Sequence, residues 1–183
     1  EWRAVEDKID LYGMWMTRLA GGATYISDKE KAQLIDDMVG YIQTDLLCYF
    51  SEDQDLNLLQ HEQWEPVLKW AEKRYEITLV RTAGLMPVVQ PENAAHAMQQ
   101  LLQSLDAYSL LAASRLVAMF GSILLFAACY EGKVSYKNAI AYSMLDETYQ
   151  AKKWGVDAEA VRTQKAKKHE MRELAKYLEL IAK

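Results

Sequence analysis

The sequence predicts a mainly α-helical fold: a helical bundle around a buried central helix at about 107–131, with one or two short β-strands at about 46–50 and 77–82. Three observations predict it. Residues 116–130 carry no charge, so no side of that stretch is marked for water, and a helix apolar all round belongs in a core or a bilayer. Eight glycines and three prolines are few places to break helices in 183 residues. Most of the remaining chain repeats apolar residues at helical spacing. A membrane span needs about 20 predominantly apolar residues. Residues 107–130 reach that only with Ser114 and Arg115 inside the lipid, which is costly. No aromatic and basic girdle flanks both ends. The stretch is therefore read as a core helix. Gly121 costs a helix about 1 kcal/mol relative to Ala, so a close neighbour is expected beside Ser114, Ala118, Gly121 and Ser122.

The other elements are read as a jacket around that helix. Asp10 can cap a first helix carrying Leu11, Trp15, Leu19, Gly22 and Ile26 on one side, with Gly21-Gly22 weakening its end. Ser27 and Glu30 have capping-box spacing, followed by the stripe Ala32, Ile35, Met38, Val39 and Ile42. Residues 44–50, TDLLCYF, read as a strand or a helical turn. The acidic SEDQD opens a helix with Leu56, Leu59, Trp64, Val67, Leu68, Ala71 and Tyr75. Pro66 is expected to kink it, or to divide it near 63–65, by removing an N–H and clashing with the preceding turn.

Residues 76–83, EITLVRTA, change period and are the best strand candidate. They would pair with 46–50 or with a sheet absent from this chain. Residues 84–91, with Pro87 and Pro91, read as a linker. Residues 92–105 form a helix with Ala95, Met98, Leu101, Leu102 and Leu105 inward. Asp106 caps the central helix, and Glu131-Gly132 ends it. Ser135 caps a helix to about 154–155. Asp157 caps the last helix, whose inner stripe is Met171, Leu174, Leu178 and Ile181. Residues 1–91 thus read as a helical lead-in with short strands, and 92–183 as the helical bundle core.

Composition narrows the function classes. A net charge of −5 argues against a nucleic-acid binder. Cys48 and Cys129 lie in apolar runs and read as core thiols of a reducing compartment. No signal peptide is visible, and a start at Glu1 is expected to reflect a removed leader or a preceding folded segment. His61, His96 and His169 are scattered, and none follows a Glu by three residues, so the helical di-iron pattern is absent. Metal, phosphate-loop and nucleophile-elbow motifs are likewise missing. No cofactor and no catalytic residue is expected. His61 reads as a surface residue, Trp64 and Trp70 as core, and the basic run 165–172 as a solvated face or a docking patch.

Glu147 breaks its local rule. At roughly 100° per residue, Tyr136, Ile140, Met144, Ala151 and Trp154 share a helix side with Glu147 in its middle, while Asp146, Tyr149 and Lys153 point elsewhere. A carboxylate on an apolar face is costly unless paired. It is either an internal ion-pair partner of Arg18, Arg81 or Arg115, or a charged anchor for a partner or ligand.

Four segments, TDLLCYF, HEQWEPVLKWAEKRY, LMPVVQP and LDETYQAKKWG, together resemble the ATP-synthase assembly chaperones that act on the α subunit of the catalytic head. MTRLA at 16–20 matches a further family element, although Gly21-Gly22-Ala23 replaces the usual Asn-Thr-Ala. The resemblance implies an N-terminal β-rich domain and a C-terminal helical one, of which this chain holds the helical part and its lead-in, residues 1–91, whose short strands would complete the missing β domain. It implies a non-enzymatic protein, monomeric when free, that binds the unassembled α subunit until the β subunit replaces it. It also implies an α-proteobacterial cytoplasm or a mitochondrial matrix, and an important acidic residue at Glu147. The expected partner surface is Glu147 with Asp146, Tyr149, Gln150 and Trp154. Two rivals are a helical enzyme or ligand-binding domain using Glu147 as a buried acid or base, and a membrane-associated scaffold using residues 107–130.

Overall fold

The computed structural model describes every residue except 3–8, 10–12, 85 and 182–183. The first described helix, α1 (Trp15–Tyr25), starts after Met14 with no side-chain cap, so the expected cap Asp10 and the apolar Leu11 lie outside the described residues. Gly21-Gly22 continue this helix rather than end it. A Cβ at Gly22 would sit 3.3 Å from Leu111 Cδ2, so the glycine lets α1 close on its neighbour. The predicted capping box opens α2 (Asp28–Gly40): Ser27 Oγ accepts the Glu30 N–H, and Glu30 Oε2 accepts the Ser27 N–H.

Both strand candidates are real but shorter than expected. After two 3₁₀ turns, Tyr41–Thr44 and Leu46–Cys48, strand β1 covers Tyr49–Phe50 alone. It pairs in parallel with β2 (Thr82–Ala83), Tyr49 opposite Thr82. The ladder does not extend over 77–81 because side chains already occupy those backbone groups. Glu72 Oε1 accepts the Leu79 N–H at 3.0 Å, and the Gln90 amide both accepts from Val80 N–H and donates to Val80 O. Between the strands runs α3 (Gln54–Tyr75), capped by Asp53. It is one continuous 22-residue helix with Pro66 inside it, so the chain does not divide near 63–65. Glu62 and Pro66 are both exposed, so the hydrogen bond that the proline removes lies on the solvent side, while Trp64, Val67, Leu68 and Ala71 hold the other face in the core.

After α4 (Glu92–Gln103), the expected central helix is two helices, α5 (Ala107–Phe120) and α6 (Ile123–Tyr130). Gly121 adopts φ 66°, the left-handed conformation that ends a helix and suits glycine. Ser122 then caps α6 by accepting the Leu125 N–H. The expected close neighbour at Gly121 is the backbone at Leu46, whose N–H donates to Gly121 O at 2.9 Å, although a Cβ on Gly121 would meet Leu46 Cβ only at 3.9 Å, so the glycine serves the turn more than the packing. The predicted 135–154 helix is also two, α7 (Tyr136–Ser143) and α8 (Leu145–Trp154), because Met144 leaves helical geometry at φ −116°, ψ 18°. The last helix is α9 (Ala158–Ile181).

The jacket reading holds. Residues 123–128 are fully buried, α5 packs against α1, α2, α6, α7 and α9, and α6 packs against α3 and α7. Burying each of the larger apolar side chains there contributes about 1.5–3 kcal/mol. No helix of the described residues is long and apolar enough to cross a membrane. Arg115 stays half-exposed, paired with Glu170 at 3.5 Å. Both cysteines are free and buried, and burial pushes the Cys129 thiol up to about 12.

A buried carboxylate fastens the α5–α6 break. Asp45 is fully buried. Its Oδ1 accepts from Ser122 Oγ at 2.7 Å and Leu47 N–H at 3.1 Å, and its Oδ2 accepts from Leu124 N–H at 3.0 Å. Leu46 N–H donates in turn to Gly121 O at 2.9 Å. Burial pushes the Asp45 carboxyl up to about 6, against the opposing pull of these donors. A raised carboxyl binds its proton more tightly in the folded state, so its contribution is present below about 4 and is lost as pH rises through 6. Asp45→Asn cannot ionise. Its stability relative to the parent should improve by about 2–4 kcal/mol between pH 4 and pH 7 in paired urea titrations. A difference that stays flat over that range would rule out Asp45 as the titrating group.

Candidate functional site

Helix α8 carries the predicted partner residues, and only its first residue, Leu145, is buried. The helix is held against α3 by polar contacts. Asp146 Oδ1 accepts from Gln60 Nε2 at 2.8 Å, while Gln60, itself 1% exposed, accepts the Ser51 N–H through Oε1 at 2.6 Å. Burial raises the Asp146 carboxyl, opposed by the Gln60 donor and assisted by the neighbouring Glu147 charge. One turn on, Tyr149 donates its hydroxyl to Asp53 Oδ1 at 2.9 Å, and the Lys153 ammonium donates to Asp53 Oδ2. Asp53 also caps α3 through Asp55 N–H and Leu56 N–H. With Lys153 as the main cause, its carboxyl is held down to about 2.

Two clefts flank α8. One, of about 500 Å³, is lined by Asp146 and Gln150 together with Phe50, Leu56, Gln60 and Glu52. The other, of about 460 Å³, has Leu59 and Leu145 among its lining, with Thr148, Tyr149, Lys152 and Lys153. Glu147 lines neither. It faces α9, where Lys167 Nζ lies 3.5 Å from Oε1, and its side chain is 45% exposed. Trp154, at the end of α8, is 76% exposed, with Lys153 Nζ 5.8 Å from its ring centroid.

The apolar face expected around Glu147 does not form. The break at Met144 puts Tyr136 and Ile140 on a different helix, and Trp154 points to solvent. The cation at Glu147 is Lys167, while Arg81 bridges Glu65 and Glu72, and Arg115 pairs with Glu170. The five predicted residues therefore share one exposed helix without converging on one point. Asp146 and Gln150 face one cleft, Tyr149 the other, Glu147 the α9 side, and Trp154 the end. An acid or base role for Glu147 would need an enclosed cavity and a second polar group on it, and neither flanking cleft reaches it. Among the described residues no group of His, Cys, Asp and Glu could hold a metal ion.

Sequence reasoning missed Gln60 and Asp53 as supports of α8. Asp53 was visible only as part of an acidic helix start, and Gln60 had no local signal. His61 is exposed as expected, yet its ring stacks on Phe50 at 4.2 Å. Trp64 is fully buried as expected and donates Nε1–H to Tyr142 O at 3.2 Å. Trp70 is half-buried against the edge of the Tyr75 ring.

Comparison with known proteins gives the site a context. A family model described as ATP12 chaperone protein matches residues 1–72. The mitochondrial protein atp12 of Schizosaccharomyces pombe is 25% identical over 166 residues, which are 85% of this chain and 57% of that protein. The chain thus spans a little over half the length of that curated relative. The crystal structure of Atp12 from Paracoccus denitrificans superposes with a TM-score of 0.91 at 31% identity, covering 98% of this chain and 77% of that one. A mutant of the same protein gives 0.92 with the same coverage. The Atu1473 protein of Agrobacterium tumefaciens gives 0.81 at 29% identity, covering 88% of this chain and 61% of its own.

Proposed function

Since this chain belongs to the ATP12 chaperone family, we propose that it is an ATP-synthase assembly chaperone that binds the unassembled α subunit of the catalytic head and covers its interface until the β subunit takes over. The observation that carries the reading is the placement of Glu147. The carboxylate that the LDETYQ motif singles out stands 45% exposed on a helix whose other polar contacts are committed to α3. Such a helix offers a charged register mark to a partner, and charge at a rim adds specificity and association rate more than affinity. Trp154 adds an exposed aromatic, the residue class most enriched at binding hot spots. Asp146, Tyr149 and Gln150 shape the two clefts beside it.

The protein acts without catalysis and without a cofactor in this reading, in an α-proteobacterial cytoplasm or a mitochondrial matrix. Residues 1–91, with the short β1–β2 pair, would adjoin an N-terminal β domain. The test is co-purification with tagged α subunit, alone and with β subunit added. The α subunit should be retained at one-to-one stoichiometry and released by the β subunit. Calorimetry with ATP should give no saturable heat. Failure to retain the α subunit, or a stoichiometric ATP site, would defeat the proposal.

A further inference from the structure

The basic run noticed in the sequence has a geometry that the α8 surface does not use. Helix α9 has two faces. One buries Met171, Leu174, Ala175, Tyr177 and Leu178, as α9 packs on α5, α7 and α1. The other presents Arg162, Lys165, Arg172 and Lys176, whose spacing of three, seven and four residues keeps them in one line. All four are exposed, over about 21 Å at 1.5 Å per residue. Among the described residues none of them has a carboxylate at ion-pair distance, and Arg162 Nε reaches only the Ala158 carbonyl. Lys167, off this line, is instead occupied by Glu147. From Arg162 to Lys176 inclusive there are six Lys or Arg and two Glu, in a chain whose net charge is −5. The cations are thus concentrated on one edge of an acidic protein.

We propose that this stripe docks an acidic protein surface, a row of Asp and Glu side chains on the client that α8 contacts, and steers the two proteins together. The proposal rests on the chaperone reading above and adds the chemistry of the partner. A membrane is the poorer match, because no apolar side chain is interleaved with the four cations to enter lipid. A polyanion such as nucleic acid would be repelled by the rest of the molecule. The Glu147–Lys167 pair joins α9 to α8, so one partner can meet both elements.

The test is association kinetics of the whole chain with isolated α subunit across a salt series. Lys165→Glu combined with Arg172→Glu should slow association at least about tenfold at low salt and flatten its salt dependence. The melting temperature should stay that of the parent, because both positions are exposed. Glu173→Lys, which adds a cation beside the stripe, should speed association and steepen the salt dependence. A doubly reversed variant that associates at the parent's rate with the parent's salt slope overturns the docking stripe and leaves the chaperone reading intact. So does a parent that prefers phosphatidylserine-containing vesicles to the α subunit. A parent that never associates with the α subunit at any salt removes the chaperone reading, and the stripe's role goes with it.

Discussion

Leu124→Ala should lower the unfolding free energy by about 3–5 kcal/mol, as for other large-to-small changes in rigid cores. Leu124 lies in α6 with all its neighbours from Ile123 to Ala128 at zero exposure, so the vacated volume is lined by side chains that are themselves confined. Its N–H is held by Asp45 Oδ2, which keeps the backbone from sinking into the void. A site that cannot collapse loses both the transfer energy of the removed carbons and the contacts around the cavity. Urea unfolding of parent and variant with a common slope measures the difference. Hydrogen exchange offers an independent reading, because amides of α6 should open only with global unfolding. A loss under about 1 kcal/mol, or fast native-state exchange in 123–128, would mean that α6 is not the centre of the core.

Glu147→Lys should abolish detectable retention of the α subunit while leaving the fold intact. Among the described residues the exposed carboxylate pairs only with Lys167, at 3.5 Å, a surface pair worth about 0–1 kcal/mol. Glu147→Gln, which keeps the shape and loses the charge, should change stability by no more than about 0.5 kcal/mol. On the client side, a charge matched to a complementary group is costly to remove and costlier to reverse. Retention should therefore fall in the order parent, Gln, Lys, with melting temperatures nearly level. Both quantities have to come from the same preparations, since a collapsed variant would also fail to bind. Parent-like retention by Glu147→Gln would refute the anchoring role, and a sharp drop in melting temperature would make the residue structural.

The segment TDLLCYF shows how a motif can be legible while its purpose is not. Its Asp45 was one acidic residue in an apolar run. In the fold it is the acceptor for donors at 122 and 124, which offset part of the cost of a carboxylate at zero exposure. The same limit applied to α8. The LDETYQ motif drew attention to Glu147, but the face assigned to it assumed one helix from 135 to 154. Met144 interrupts that helix and resets the angular register of everything after it.

Local sequence was enough for the helical class, the caps at Ser27, Asp106, Ser135 and Asp157, the burial of 116–128 apart from Ala118, Met119 and Gly121, and the family motifs. These are local quantities: a capping side chain needs its N–H donor within three residues, and a buried face needs only a repeat of apolar side chains. Tertiary structure alone decided where the central helix breaks, how far the strands pair, and which groups hold α8. Those choices rest on hydrogen bonds between distant residues: Asp45 with Ser122, Gln60 with Asp146, and Asp53 with Tyr149. A contact of that kind leaves no spacing to read, because it exists only once the completed fold has brought two distant segments together.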